Sequence, residues 1–276
     1  MASAGPKFAD LAPRLISGAV MLVVAVLGLW LGGLVLALLL SALGAAMLWE
    51  YFRLIIRLTK PFALVATVGT SALLAVSLIL EHILAPEAPV LEPAVSALVV
   101  VGLAMLAVVA VVRESKLETL FGAMIPAATF LFFFLHQSVP MAMWLVVVTV
   151  IATDVAGYVF GKLIGGPKFW PALSPNKTWA GTVSGWAMAV LIALVVAWNS
   201  PTSSAVVGVI FLVLVSFAAQ MADISESALK RRAGVKDSSN LLPGHGGVLD
   251  RFDGMLGGFT LAGLAFLLTG YAMMPG

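Results

Sequence analysis

Between Arg14 and Glu50 the chain runs for 35 residues without a charged side chain, and a second uncharged run of 35 extends from Thr119 to Thr153. A helix crosses the hydrocarbon of a bilayer in roughly 20 residues, so each run is too long for one crossing and about right for two. The first divides at Gly32 and Gly33, the second at HQSVP, residues 136–140, where turn-forming residues interrupt the apolar pattern. Composition agrees: 62% of the residues are hydrophobic, 10% are charged and the mean hydropathy is +1.11, well outside the range of soluble domains.

Further apolar segments at 62–80, 94–112, 182–198, 204–222 and 255–274 bring the count to about nine. With nine crossings, all 15 Lys and Arg residues fall on one side: the N-terminal tail and the segments after spans two, four, six and eight. Lys and Arg collect in cytoplasmic loops, so the expected fold is an all-α polytopic membrane protein with its N-terminus cytoplasmic and its C-terminus outside. Lys7 and Arg14 ahead of an apolar run mimic a secretory signal, but the run continues into a second span and reads better as a retained anchor. Residues 1–276 are expected to form one membrane-embedded domain, with spans one to five in 1–135 and catalytic helices in 141–276. No short-period repeat is evident, and the absence of Cys excludes disulfides, thiolate metal sites and cysteine nucleophiles.

Polar chemistry gathers in two cytoplasmic segments, 153–181 and 222–254, which hold eight of the 15 basic and six of the 13 acidic residues. Asp223, Glu226, Ser227 and Lys230 fall at i, i+3, i+4 and i+7, one face of a helix continuing from span eight. Asp250 and Asp253 stand three apart where span nine begins, and a helix N-terminus favours negative groups. The loop PGHGG, 243–247, is flexible enough to fold these helix ends together, ringed by Lys230, Arg231, Lys236, His245 and Arg251. Carboxylates from separate helices beside a basic cluster suit Mg²⁺ completed by phosphate oxygens, with a nucleoside triphosphate the natural guest. The expected metal ligands are Asp223 and Asp250, with Glu226 and Asp253 beside them.

Asp154 sits toward the inner end of span six, where a carboxylate in lipid normally faces a partner or a wet cavity. Ser174, Asn176, Lys177 and Thr178, in SPNKT, form a polar re-entry before span seven that can meet phosphate near a helix start. With Ser227, these are the expected substrate-binding residues. Plainer readings stand beside several positions: Arg232 reads equally as a lipid anchor, and Asp237 as a turn residue. His245 reads also as a partner for a backbone carbonyl. The glycines at 181, 185, 254, 257 and 258 suit helix packing, and Trp170, Trp179 and Trp186 suit interfacial anchoring.

The stretch SALKRRAGVKDSSNLLPGHGGVLDRFD, 227–253, closely resembles the signature of the phosphatidate cytidylyltransferases, the CDP-diacylglycerol synthases: SxLKR, then KD, a small residue, LPxHGG and DRxD. Upstream, SPNKTWAG looks like the family's SPKKTWEG, and TDVAGYVFG like its DTGAYxxG. The motifs cover about the last 125 residues, while the first half matches in hydrophobicity and span count. Two positions depart from the pattern: Ala180 stands for the Glu of TWEG, and Ala222 for a Gly before Asp223. Neither removes an expected metal ligand.

The resemblance implies transfer of the cytidylyl group of CTP to phosphatidate, giving CDP-diacylglycerol and pyrophosphate for phospholipid synthesis. It also implies a nine-helix homodimer, Mg²⁺ at Asp223 and Asp250, and a second, monovalent cation such as K⁺ beside the same acids. The setting is a bacterial-type inner membrane with the active site facing the cytoplasm, and no nucleic-acid partner is expected. Lys230, Arg231, Lys236 and Arg251 would offset repulsion between nucleotide and lipid phosphate, and His245 would orient pyrophosphate or a ligand carboxylate. A CTP-dependent lipid kinase of the polyprenol type is the competing enzyme, releasing CDP instead. An ion-coupled transporter would place such charges near the bilayer midplane rather than at one face. A CDP-alcohol phosphatidyltransferase fits less well, since its DG, AR, G, D, D series is absent.

Overall fold

A computed structural model describes residues 11–55, 60–84, 102–109, 115–199 and 204–269. Among them are nine helices: α1 (Leu11–Leu31), α2 (Gly33–Ile55), α3 (Lys60–Leu84), α4 (102–109), α5 (Lys116–Ser138), α6 (Pro140–Ile164), α7 (Trp179–Asn199), α8 (Ala205–Ala233) and α9 (Leu249–Thr269). Five of these, within α2, α5, α6, α7 and α8, are long and apolar enough to cross a bilayer, and α1 and α3 carry shorter apolar stretches. The chain is therefore an essentially all-helical, multi-pass membrane protein. Of the expected fourth span, 94–112, only 102–109 lies among the described residues, and there it is helical. The two chain ends expected on opposite faces, 1–10 and 270–276, lie outside them.

Helix boundaries follow local chemistry. Gly32 and Gly33 adopt φ of +58° and +45°, a region that L side chains avoid, and so turn α1 into α2. Ser115 caps α5 by accepting from the Glu118 N–H at 3.2 Å. Pro140 at the first turn of α6 lacks an N–H that would have no intrahelical partner, so the chain re-enters helix after the single residue Val139. At the far end of α6, Gly165 and Gly166 take φ of +65° and +91° and release the chain. α8 runs on past the apolar segment to a left-handed Gly234, whose N–H returns to the Lys230 and Arg231 carbonyls.

One element departs from the sequence reading. SPNKT is a strand, β2 (Ser174–Thr178), paired antiparallel with β1 (Lys168–Trp170) in a hairpin between α6 and α7. A segment of three prolines and two glycines resists helix, and the Phe169 ring meets Trp179 edge-on at 4.7 Å, fastening the hairpin to α7.

Helices in lipid gain little from apolar burial against one another, so close backbone approach and interhelical hydrogen bonds decide their packing. α5 is the most enclosed span, holding Phe121, Phe130, Phe133 and Phe134 in the core. Gly181 faces α6 so closely that an added Cβ would lie 2.5 Å from the Gly157 carbonyl oxygen. Gly257 presses likewise on the Ala218 carbonyl of α8. The expected packing role of these glycines is what the contacts display. Between α6 and α8, the Thr153 hydroxyl donates to Ser216 Oγ at 2.8 Å. Gly257→Leu should force α8 from α9 and cost about 1–3 kcal/mol, seen as a lower unfolding midpoint in detergent. Gly208→Ala, with nothing within 4 Å of the added methyl, should cause no loss.

Candidate active site

A cavity of about 850 Å³ opens where α6 ends, bounded by α6, β2, α7 and α8. Asp154 and Lys162 reach it from α6, Lys168 from β1, Asn176, Lys177 and Thr178 from β2, and Asp223 from α8. The hairpin supplies the basic wall because it folds back over the helix ends: the Trp179 N–H donates to the Pro167 carbonyl at 3.0 Å. Thr178 then caps α7, accepting from the Gly181 N–H at 3.2 Å. Lys177 forms an ion pair with Asp223, a contact between the two expected segments that sequence spacing does not reveal. Gly157, Gly161, Gly165, Gly166 and Gly181 complete much of the wall, so a ligand meets backbone as well as side chains.

Beside this cavity lies a buried charge node. Lys230 sits 2.5 Å from Glu226 Oε2 and 2.7 Å from Asp250 Oδ1, with all three side chains largely enclosed. Asp250 also accepts from the backbone N–H of Ser238 (2.9 Å to Oδ2), the Ser238 hydroxyl (2.9 Å) and the Gly247 N–H (2.8 Å). It precedes the apolar part of α9. Burial opposes its charge, but hydrogen bonds with the Glu226 and Lys230 side chains and with the Gly247 and Ser238 N–H groups hold the carboxyl below the usual carboxylate range. Asp253, one turn on, accepts from the Gly254 N–H at 2.8 Å.

The loop that carries these groups is held by Glu50 of α2, a residue that spacing arguments passed over. Its side chain is fully buried, and its two oxygens accept from Ser238 Oγ (3.2 Å), Ser239 Oγ (2.5 Å), the Val248 N–H (3.0 Å) and the Leu249 N–H (2.7 Å). The last two donors open α9, so Glu50 acts as its N-terminal cap from another helix. Gly247 has no room for a side chain there: an added Cβ would fall 2.7 Å from Glu50 Oε1.

The remaining expected residues are dispersed. His245 Nδ1 lies 2.8 Å from Ser17 Oγ of α1. Arg251 donates through Nε and Nη2 to the His245 carbonyl, at 3.0 and 2.6 Å. Lys236, His245 and Arg251 line a separate polar pocket on the outer side of the loop. Arg231 is exposed on the last turn of α8. Ser174 is buried at the start of β2, and neither it nor Ser227 lines the cavity. Arg232, read equally as a lipid anchor, reaches Glu118 at 3.4 Å.

The cytidylyltransferase family model matches residues 12–269. The chain belongs to that family. It is 44% identical over 118 residues to a phosphatidate cytidylyltransferase of Brucella suis biovar 1 (strain 1330), a match covering 40% of this chain and 41% of that protein. Against a phosphatidate cytidylyltransferase of Bacillus subtilis (strain 168) it is 45% identical over 126 residues, 44% of this chain and 45% of the relative. A Staphylococcus saprophyticus protein of the same name is 43% identical over 117 residues, 42% of this chain and 44% of its own length. The chain thus spans less than half the length of the curated relatives it matches.

The acids present suit a hard divalent cation. Mg²⁺ is ordinarily held by one or two carboxylates and completed by substrate phosphates, rather than by an all-protein cage. Among the described residues no three acids or histidines converge in such a cage. Asp223 and Asp154 both line the cavity, two carboxylates of the kind that a hard cation binds.

Removing Lys230 leaves Glu226 and Asp250 buried without their counter-charge. Lys230→Ala should therefore cost about 3–5 kcal/mol in detergent unfolding and collapse activity. Lys162, whose ammonium stands 5.8 Å from the Tyr158 ring centre, should tolerate Ala with little loss of stability.

Proposed function

We propose that the protein transfers the cytidylyl group of CTP to phosphatidate, yielding CDP-diacylglycerol and pyrophosphate. The observation that carries this reading is the cavity itself: Asp154, Asp223, Lys177, Lys168 and Asn176 together line a volume of about 850 Å³ at the ends of apolar helices. A cavity of that size takes a nucleotide. Family membership and the names of the relatives support the choice of nucleotide and lipid.

In this reading a phosphate oxygen of phosphatidate attacks the α-phosphorus of CTP, forming the new P–O bond as the bond from Pα to the bridging oxygen breaks. Pyrophosphate departs with that electron pair. A phosphate oxygen is already anionic near neutral pH, so no residue need remove a proton. Lys177 and Lys168 draw the triphosphate into the cavity, and Asn176 and Thr178 offer it hydrogen bonds. Lys230 holds Glu226 and Asp250 in place beside the cavity, and the exposed Arg231, Lys236 and Arg251 add positive charge to the surface that two anions approach. His245, expected to orient pyrophosphate, is held by Ser17 and lines the loop pocket rather than the cavity. Asp223, with Asp154 beside it on the cavity, would hold Mg²⁺, with K⁺ as a second cation beside the same acids, whereas the expected ligands Asp250 and Glu226 are taken up by Lys230. A bound Mg²⁺ supplies charge neutralisation on the phosphates.

The reading extends to topology. Nine spans, a cytoplasmic N-terminus, an external C-terminus, a homodimer and a bacterial inner membrane with the site facing the cytoplasm form one consistent picture. Its support is the placement of every Lys and Arg on one side of such a nine-span chain.

Purified protein incubated with phosphatidate, Mg²⁺ and CTP labelled at the α-phosphorus should move label into the lipid phase. Label reaching lipid only from γ-labelled CTP would instead assign a lipid kinase. Asp223→Asn should reduce transfer by about 10³-fold or more while the protein remains folded, and near-normal activity would remove Asp223 from the site.

A further inference from the structure

Asp223, the acid expected to meet Mg²⁺, is already paired with a cation of the chain itself. The Lys177 ammonium forms a contact ion pair with its Oδ2 and donates to the Gln220 backbone carbonyl, one turn earlier on α8, at 3.5 Å. Among the described residues these are the polar contacts that tie the β1–β2 hairpin to α8. Both side chains stay partly open, 24% exposed for Lys177 and 32% for Asp223, and both line the cavity.

The deeper ion pairs are of another kind. Lys230 is held between Glu226 and Asp250, two carboxylates that are almost fully enclosed, and none of the three lines the cavity. Lys177 has a single carboxylate partner, and a ligand in the cavity meets both members of the pair. The hairpin that carries it is fastened to α7 by the edge-on contact of Phe169 with Trp179 and by the Trp179 N–H on the Pro167 carbonyl. Lys177 can therefore leave Asp223 by turning its own flexible four-carbon stem, while the hairpin keeps its hold on α7.

A carboxylate in contact with an ammonium is a poor ligand for a divalent cation. Its one negative charge is already offset, and the incoming ion would stand close to a like charge. A triphosphate reverses the balance, because it carries several negative charges and offers Lys177 more acceptors than Asp223 does. We propose that Lys177 is an exchangeable counter-ion of Asp223. Without nucleotide it keeps divalent cations off that carboxylate; a nucleoside triphosphate entering the cavity draws the ammonium onto its phosphates and frees Asp223 for metal. Nucleotide and metal then favour one another through one side chain that changes partners. The inference rests on the function proposed above, in which Asp223 holds Mg²⁺ and the cavity takes CTP.

The test measures binding to the full-length protein in detergent, without turnover. Mn²⁺, followed by the electron paramagnetic resonance of the free ion, should bind the nucleotide-free wild type weakly and Lys177→Met about 10- to 100-fold more tightly, the usual span of coupling between two ligands. Lys177→Gln should gain in the same way. Lys177→Arg, which keeps the charge and pairs with a carboxylate, should bind Mn²⁺ as weakly as the wild type, and so should Lys168→Met, which removes a charge from the same cavity. CTP binding in the absence of metal should move the other way, weakening about tenfold in Lys177→Met, the loss of a hydrogen bond to a charged group. Damage to the fold would weaken both ligands. Equal Mn²⁺ affinity in the wild type and Lys177→Met, an equal gain in Lys168→Met, or a gain that survives Asp223→Asn in the Lys177→Met protein would overturn the proposal. Tighter Mn²⁺ in Lys177→Met, with no label passing from α-labelled CTP to lipid in the wild type, would keep the exchange and remove cytidylyl transfer; transfer with Mn²⁺ affinity unmoved would do the reverse.

Discussion

The buried carboxylate of Glu50 organises the part of the molecule that carries the candidate site. An ionised group withdrawn from water and lipid headgroups is costly unless donors surround it, and Glu50 is surrounded by two serine hydroxyls and the two N–H groups that open α9. Those donors belong to one loop, so satisfying the charge fixes the loop's path and the starting point of α9. Asp250 follows directly: it stands one residue beyond Leu249, where the fixed turn delivers it to Lys230. The Ser238 hydroxyl, within 3.2 Å of Glu50 and 2.9 Å of Asp250, lies between the two carboxylates. α2, from the N-terminal half of the chain, is in this way part of the site.

Charge is graded outward from that centre. Deepest are Glu50 and Asp250, each ringed by protein donors, and Glu226, whose ion-pair partner is Lys230; all are suited to holding shape. Next come Asp223 and Asp154, accessible from the cavity, where Lys177 is held by an ion pair that an incoming phosphate can compete for. Outermost are Lys236 on the loop and Arg251 in the first turn of α9, both exposed. Under the proposed function the site would bring together two polyanions, and that needs such an arrangement: fixed charges that keep geometry, and looser cations that meet the ligands.

Much of the scaffold was legible in the sequence because its punctuation is chemical. Gly32–Gly33 and the HQSVP segment divide the two uncharged runs where backbone preference requires it, and helices stand on both sides of each break. The stripe Asp223, Glu226, Lys230 was legible because helical periodicity puts those residues on one face. Glu50 was not. At the end of an apolar run between Trp49 and Tyr51 it looks like any flanking charge, and its partners lie 188 to 199 positions away, a relation that only packing creates. The hairpin of β1 and β2 escaped for a different reason: strands of three and five residues, one containing Pro175, carry too little alternation to read. Lys177 was singled out for phosphate, but its pairing with Asp223 depends on that hairpin folding back.

The most direct measurement of the central claim is amide hydrogen exchange at Val248 and Leu249 in the wild-type protein and in Glu50→Ala. If the Glu50 carboxylate sets the start of α9, both amides are protected in the wild type. In the variant they exchange faster by about two orders of magnitude, the loss of hydrogen bonds to a charged acceptor, while amides deeper in α9 are unchanged. Equal protection of Val248 and Leu249 in both proteins would mean that the loop holds itself and that Glu50 is not its anchor.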